Sequence, residues 1–267
     1  VIFIVGFNVF RSFKDTSSHI VNSLYKSDDR IYKNELGHDD QAMYDLLLDM
    51  SVKHQVIKKI DMDQFHCYDY EDCADVIHYA HQALMVDHPE LMNYAGYSWH
   101  YSNGVFTLQL HPSYLLTYKD YYGVWKTEFI LSKIEKATKD MSDKEKILYV
   151  YDWIGDHNTY DYYFTYTSKN QSIYNVFVKK NAVCAGFAKA STIIFSRIGI
   201  ESYIVNGYSE DYHMWNIVKY EDKYYYFDST AAVGFKKGSE HYYDGLKQEY
   251  MNDYSSYFPD WYPDVEI

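Results

Sequence analysis

The stretch from Cys184 to Thr230 constrains this chain more than any other part. Cys184 to Arg197 has the apolar spacing of a helix, with Gly199 just past its end as a stop. Three strand-like runs follow, at 200–208, 213–220 and 224–229. A helix followed by hairpin-linked strands predicts a helix packed on an antiparallel sheet.

The helix brings a cysteine to its first turn, with Ala185 and Gly186 leaving room around it. Unpaired amides and the helix dipole at that end favour a thiolate. The Cys184 backbone amide is also a donor for an oxyanion. If Glu221-Asp222 is a two-residue turn, Trp215 faces Asp228 and His213 faces Thr230. His213 and Asp228 are then diagonal neighbours on one sheet face. Any even loop keeps that parity, whereas a three-residue loop sends them to opposite faces. The expected chemistry is a thiol nucleophile, a histidine base and an orienting aspartate. Each residue alone has an ordinary reading: a small core cysteine, a structural strand histidine, a paired buried acid.

Three blocks, Val183-Cys184-Ala185-Gly186-Phe187-Ala188, His213-Met214-Trp215-Asn216 and Tyr226-Phe227-Asp228-Ser229-Thr230, resemble the signature blocks of the transglutaminase-like superfamily in order and spacing. Tyr151-Asp152-Trp153-Ile154 and Asn158-Thr159-Tyr160-Asp161 resemble the helix and loop that precede the cysteine block in bacterial members. The resemblance covers roughly residues 140–232. It implies a papain-like fold and a catalytic triad of Cys184, His213 and Asp228. It also implies a second oxyanion donor upstream of the cysteine, for which Gln171 and Tyr160 rank above Asn170. Ser229 stands where the family often has proline. Ala231 and Ala232 replace an aromatic, which we read as leaving an open cleft. Trp215, Tyr212, Tyr208 and Tyr162 are candidate walls of a substrate channel, and Trp215 is counted with the site-lining residues.

The expected function is acyl transfer on protein or peptide amides through a thioester, as a cysteine peptidase or amidase. One alternative is a protein-glutamine transglutaminase that cross-links or deamidates. Another is a non-catalytic binding module on the same fold. The constellation calls for no cofactor and no metal. His66, Cys67, Cys73, His78 and His81 cluster in sequence, but match no strong zinc spacing. Cys67 and Cys73 are candidates to pair, leaving Cys184 free.

The expected fold class is α+β: a papain-like transglutaminase core at 120–267, preceded by a small α+β unit at 38–119. That unit should hold helices at 39–50 and 72–87, a short strand within 52–60, and a hairpin at 94–111 turning at Asn103-Gly104. In the core, helices are expected at 124–139, from Ser142 with a capping box, and at 172–179, with a loop at 155–170. Residues 1–37 read as an apolar segment, Val1 to Phe10, followed by a polar arm or linker at 11–37. The apolar segment is either the tail of a signal peptide or anchor, or a buried strand, and an exported protein is favoured. It is too short to span a bilayer, so no stable membrane insertion of the mature chain is expected. The chain carries 25 Lys and Arg against 38 Asp and Glu, a net charge of −13. That argues against nucleic acid as a partner. The 33 tyrosines suit half-buried strands and protein-binding grooves.

Overall fold

The computed structural model describes residues 24, 31–67, 69–92, 94–102, 105–112, 118–163 and 170–266. The apolar segment at 1–10 and the Asn103-Gly104 turn lie outside them.

The N-terminal part comprises α1 (Ile31–Glu35), α2 (His38–Val52), β1 (Ile57–Ile60), α3 (Tyr70–Asp87), β2 (Tyr94–Ser102) and β3 (Val105–Pro112). Met43, Leu47 and Met50 line the buried face of α2, and Asp39 and Asp40 occupy its first turn, where the helix dipole favours acids. α3 starts two residues earlier than the apolar spacing predicts. The Asp69 side chain caps it by accepting from the amides of Glu71 and Asp72, each at 2.9 Å. The strands form an antiparallel sheet in the order β1-β3-β2, with Ser102 opposite Val105. Cys67 and Cys73 form a disulfide that ties the entry of α3 to its first turn.

α1 corrects the reading of 11–37 as a linker or arm, at least for its last residues. Tyr32 is buried against the rings of Trp261 and Tyr262, with centroids 5.6 and 5.5 Å away. The amides of Tyr32 and Lys33 donate to the Asp87 carboxylate. A short polar sequence is held by partners from both α3 and the distant tail, which local pattern cannot reveal.

The C-terminal part comprises α4 (Tyr118–Thr138), α5 (Asp143–His157), β4 (Thr159–Tyr160), β5 (Asn181–Ala182), α6 (Cys184–Ile198), β6 (Ser202–Ser209), β7 (Asp211–Tyr220), β8 (Lys223–Phe227), α7 (Ser229–Gly234) and β9 (Ser255–Ser256). Ser142 and Glu145 form the expected capping box of α5. The predicted helix at 172–179 contains a π-helical turn, Asn175–Lys179. Residues 155–157 belong to α5 and 159–160 to β4, so the expected loop is shorter. β4 and β5 pair in parallel, and β8-β7-β6-β9 form an antiparallel sheet.

α6 is the axis of this part. It is buried on nearly every side, as its near-continuous apolar sequence requires. Phe187 and Phe195 join Tyr151, Phe177 and Phe227 in one core. Ala185 and Ala188, with Ile204 and Met214, pack instead with α2 and α3 residues in a second core. The cysteine-bearing helix is thus wedged between the two parts of the molecule. Gly199, at φ 78°, closes α6 in the left-handed conformation. Among the described residues, no helix is long and apolar enough to cross a membrane.

Candidate active site

β7 and β8 pair with Tyr220 opposite Lys223 and Asn216 opposite Phe227, so the turn is the two-residue Glu221-Asp222. Both turn residues have positive φ, 51° and 60°, the geometry that matches strand twist. The even loop puts His213 and Asp228 on one face, and His213 Nε2 lies 2.8 Å from Asp228 Oδ2.

Asp228 is held from several sides. Its Oδ1 accepts from the Thr230 amide at 2.8 Å and caps α7. Its Oδ2 also accepts from the Tyr254 hydroxyl at 2.8 Å. Its backbone amide donates to the Gly245 carbonyl. Burial disfavours the charge, but His213 and these hydrogen bonds outweigh it and hold the carboxyl below its usual range. Burial likewise works against the imidazolium of His213. The Asp228 charge and hydrogen bond, followed by a hydrogen bond with Cys184, overcome it and raise the imidazole to about 10. His213 is therefore protonated at neutral pH, bonded through Nε2 to the carboxylate and close enough to the Cys184 sulfur to feel it.

Cys184 is part-exposed and is the free cysteine of the molecule. Val183 caps α6 without a side-chain bond, and the first turn carries no acid. The amide end of the helix dipole is left to the sulfur. Gly186 lets the chain at 170–172 run against this turn, since a Cβ there would meet the Ala182 side chain and the carbonyls of Asn170 and Ser172.

The candidate oxyanion donors separate. Tyr160 sits by the sulfur: burial first, then the Cys184 charge, pushes its hydroxyl up to about 12. The Asn170 amide is committed to Asp161 at 3.0 Å. Gln171 lies in the segment that abuts the first turn of α6. Trp215 does not wall a channel. It is 1% exposed and lies behind the imidazole, its ring tilted 17° from it with centroids 6.0 Å apart. Tyr162 and Tyr212 are 74% and 79% exposed, so they do not enclose one either.

Ala231 and Ala232 are also small where α7 crosses close to α5 and to the turn at 245. A Cβ on Gly155 would lie 2.6 Å from the Ala232 carbonyl oxygen, and Ala231 faces Gly245. Tyr254 is a site residue that sequence reasoning missed. Its hydroxyl bonds Asp228, and its ring meets the His213 ring edge-on at 5.6 Å. One tyrosine among 33, in an irregular tail, gives no signal of that role.

Four of the five residues in the cluster from His66 to His81 have other partners. Cys67 and Cys73 are bonded to each other, His66 contacts Asp39, and His81 contacts the Tyr94 hydroxyl. No metal-type cluster of three or more such groups occurs among the described residues.

Residues 132–229 match the model of the transglutaminase-like superfamily. This segment is similar to a transglutaminase-like core. It contains Cys184, His213 and Asp228. A search of the curated proteins gives no match. Among solved structures, the chain is similar to a candidate cysteine protease from Cytophaga hutchinsonii, at 19% identity and TM-score 0.34, covering 39% of this chain and 37% of that one. It is similar to a TGase at 20% identity and TM-score 0.38, covering 55% and 46%. It is also similar to the periplasmic domain of TgpA from Pseudomonas aeruginosa, at 11% identity and TM-score 0.33, covering 53% and 58%. The chain thus spans less than half the length of the first two.

Proposed function

We propose that this transglutaminase-like protein is an exported Cys-His-Asp enzyme that hydrolyses protein or peptide amides through a thioester on Cys184. The observation that carries the reading is the His213 imidazole bonded to the Asp228 carboxylate, with the Cys184 sulfur at the start of α6 near enough to influence it.

With the thiol proton resting on His213, the Cys184 thiolate attacks the amide carbonyl carbon, forming a C–S bond and a tetrahedral oxyanion. The Cys184 amide and Tyr160 are the candidate donors to that oxygen. The intermediate collapses, the C–N bond breaks, and the His213 imidazolium gives its proton to the leaving amine. The neutral imidazole then takes a proton from water as its oxygen attacks the thioester. The C–S bond breaks, releasing the acid and the thiolate. Asp228 keeps the imidazole oriented in both halves.

Hydrolysis is favoured over amine transfer because the aromatics that would enclose an amine channel do not do so. Trp215 is buried behind the base, and Tyr162 and Tyr212 face solvent. Water at roughly 55 M then outcompetes a protein amine that nothing positions. The Cys67–Cys73 disulfide supports an oxidising compartment, and hence export.

The test pairs digestion of a casein-type substrate with incorporation of a fluorescent primary amine into a glutamine-containing protein. Cleavage lost in Cys184→Ala is expected. Stable amine incorporation without cleavage would assign transfer instead. Failure of an electrophilic thiol probe to label Cys184 would point to a binding module.

A further inference from the structure

α4 has two unlike faces. Val124, Thr127, Leu131, Ile134 and Thr138 are buried against the body of the protein. The opposite strip, one residue every turn from Tyr122 to Lys136, is aromatic and basic. Tyr122, Trp125 and Phe129 are 47%, 61% and 46% exposed. The Trp125 and Phe129 rings stack at 6.0 Å, and the Lys133 ammonium lies over Phe129 at 4.2 Å. Lys133 and Lys136 are exposed on the same strip, and Lys126 borders it. The strip bears no carboxylate. The acids of this stretch, Glu128 and Glu135, lie to one side and both bind Arg197 of α6 at 2.7–3.0 Å.

On a chain of net charge −13, such a strip is a local reversal of sign. Buried protein interfaces deplete lysine, so a protein partner accounts poorly for the lysines beside Trp125 and Phe129. A lipid surface accounts for both. Aromatic rings settle at the headgroup level, while lysine stems run along apolar surface and keep their ammonium groups at the phosphates. From this juxtaposition we propose that the outer face of α4 docks the protein peripherally on a membrane surface carrying anionic lipid. The contact is interfacial and needs no insertion of the chain. It leaves the buried face of α4 on α6 undisturbed. It does not depend on the acyl-transfer reading.

The test is co-sedimentation of the full chain with phosphatidylcholine vesicles, with and without about a third phosphatidylglycerol. The protein is expected to pellet with the anionic vesicles and to be released by high salt. Trp125→Ser/Phe129→Ser should lower the partition coefficient at least tenfold. Lys133→Gln/Lys136→Gln should lower it roughly 25-fold, at about fivefold per lysine. Both variants should keep the wild-type melting temperature and peptide hydrolysis. Equal binding to neutral and anionic vesicles would overturn the proposal, as would wild-type partition in both variants. Loss in the variants of a concentration-dependent dimer, with no vesicle binding by the wild type, would also overturn it and assign the face to self-association.

Discussion

Tyr254 and His213 donate to the same oxygen of Asp228, each at 2.8 Å. The tail of the chain therefore reaches the carboxylate that orients the imidazole. Tyr254 is a positioning residue whose hydrogen bond, like that of His213, helps keep Asp228 ionised. In Tyr254→Phe the Asp228 pKa should rise. The acid limb of the pH profile of kcat/KM should then move to higher pH, with the plateau falling about tenfold. An unmoved acid limb would leave Tyr254 with packing alone.

In the proposed mechanism Asp228 has a catalytic duty beside its structural one as the cap of α7, and two substitutions separate them. Asn keeps an oxygen for the Thr230 amide but removes the charge beside His213. Asp228→Asn should fold normally and lose about three to four orders of magnitude in kcat. Asp228→Ala should lose as much activity and, in addition, about 1 kcal/mol of stability from the missing cap of α7. Kinetics beside urea denaturation read both effects.

The raised imidazole sets the sign of an alkaline stability loss. A group whose pKa is higher in the folded state stabilises fully below its unfolded value and loses that contribution as pH climbs through the folded one. For His213 the contribution is complete below about 6.5 and gone above about 10. Thermal melts between pH 6 and pH 10.5 should fall more in the wild type than in His213→Gln. Equal slopes would show that the ion pair contributes nothing to folding.

Without reductant, an alkylating probe near neutral pH should label one thiol per chain, and peptide mapping should place it at Cys184. Labelling at Cys67 or Cys73 would contradict the disulfide. Cys184→Ala should abolish turnover with little change in melting temperature, because the side chain is small and part-exposed.

A Cβ at Gly245 would collide with the Asp228 carbonyl oxygen, a backbone atom with no freedom to yield. Gly245→Ala should cost about 1–3 kcal/mol and also reduce kcat, because the strain falls on the residue that aims His213. A destabilised variant with intact kcat would separate the 245 turn from the site.

Much of the architecture was legible locally. The period of α6, its Gly199 stop, the Ser142–Glu145 capping box and the parity of the 221–222 turn are relations between residues close in sequence. Backbone geometry and side-chain periodicity determine them without a tertiary partner. That is why the sequence could put His213 and Asp228 on one face and a cysteine at a helix start.

Other features depended on partners far along the chain. Tyr254 bonds Asp228 from 26 residues away, and Tyr32 packs on Trp261 and Tyr262 from the opposite terminus. Trp215 and Ala232 have ordinary local patterns, and only packing shows that one backs the imidazole and the other fits under Gly155. The sequence by itself determined the elements, the hairpin parity and the order of the cysteine, histidine and aspartate blocks, because these follow from local periodicity and turn geometry. Only the tertiary structure decided what surrounds Asp228, what the small residues after it pack against, and which aromatics are walls or core, because those depend on contacts that close loops of arbitrary length and leave no periodic trace.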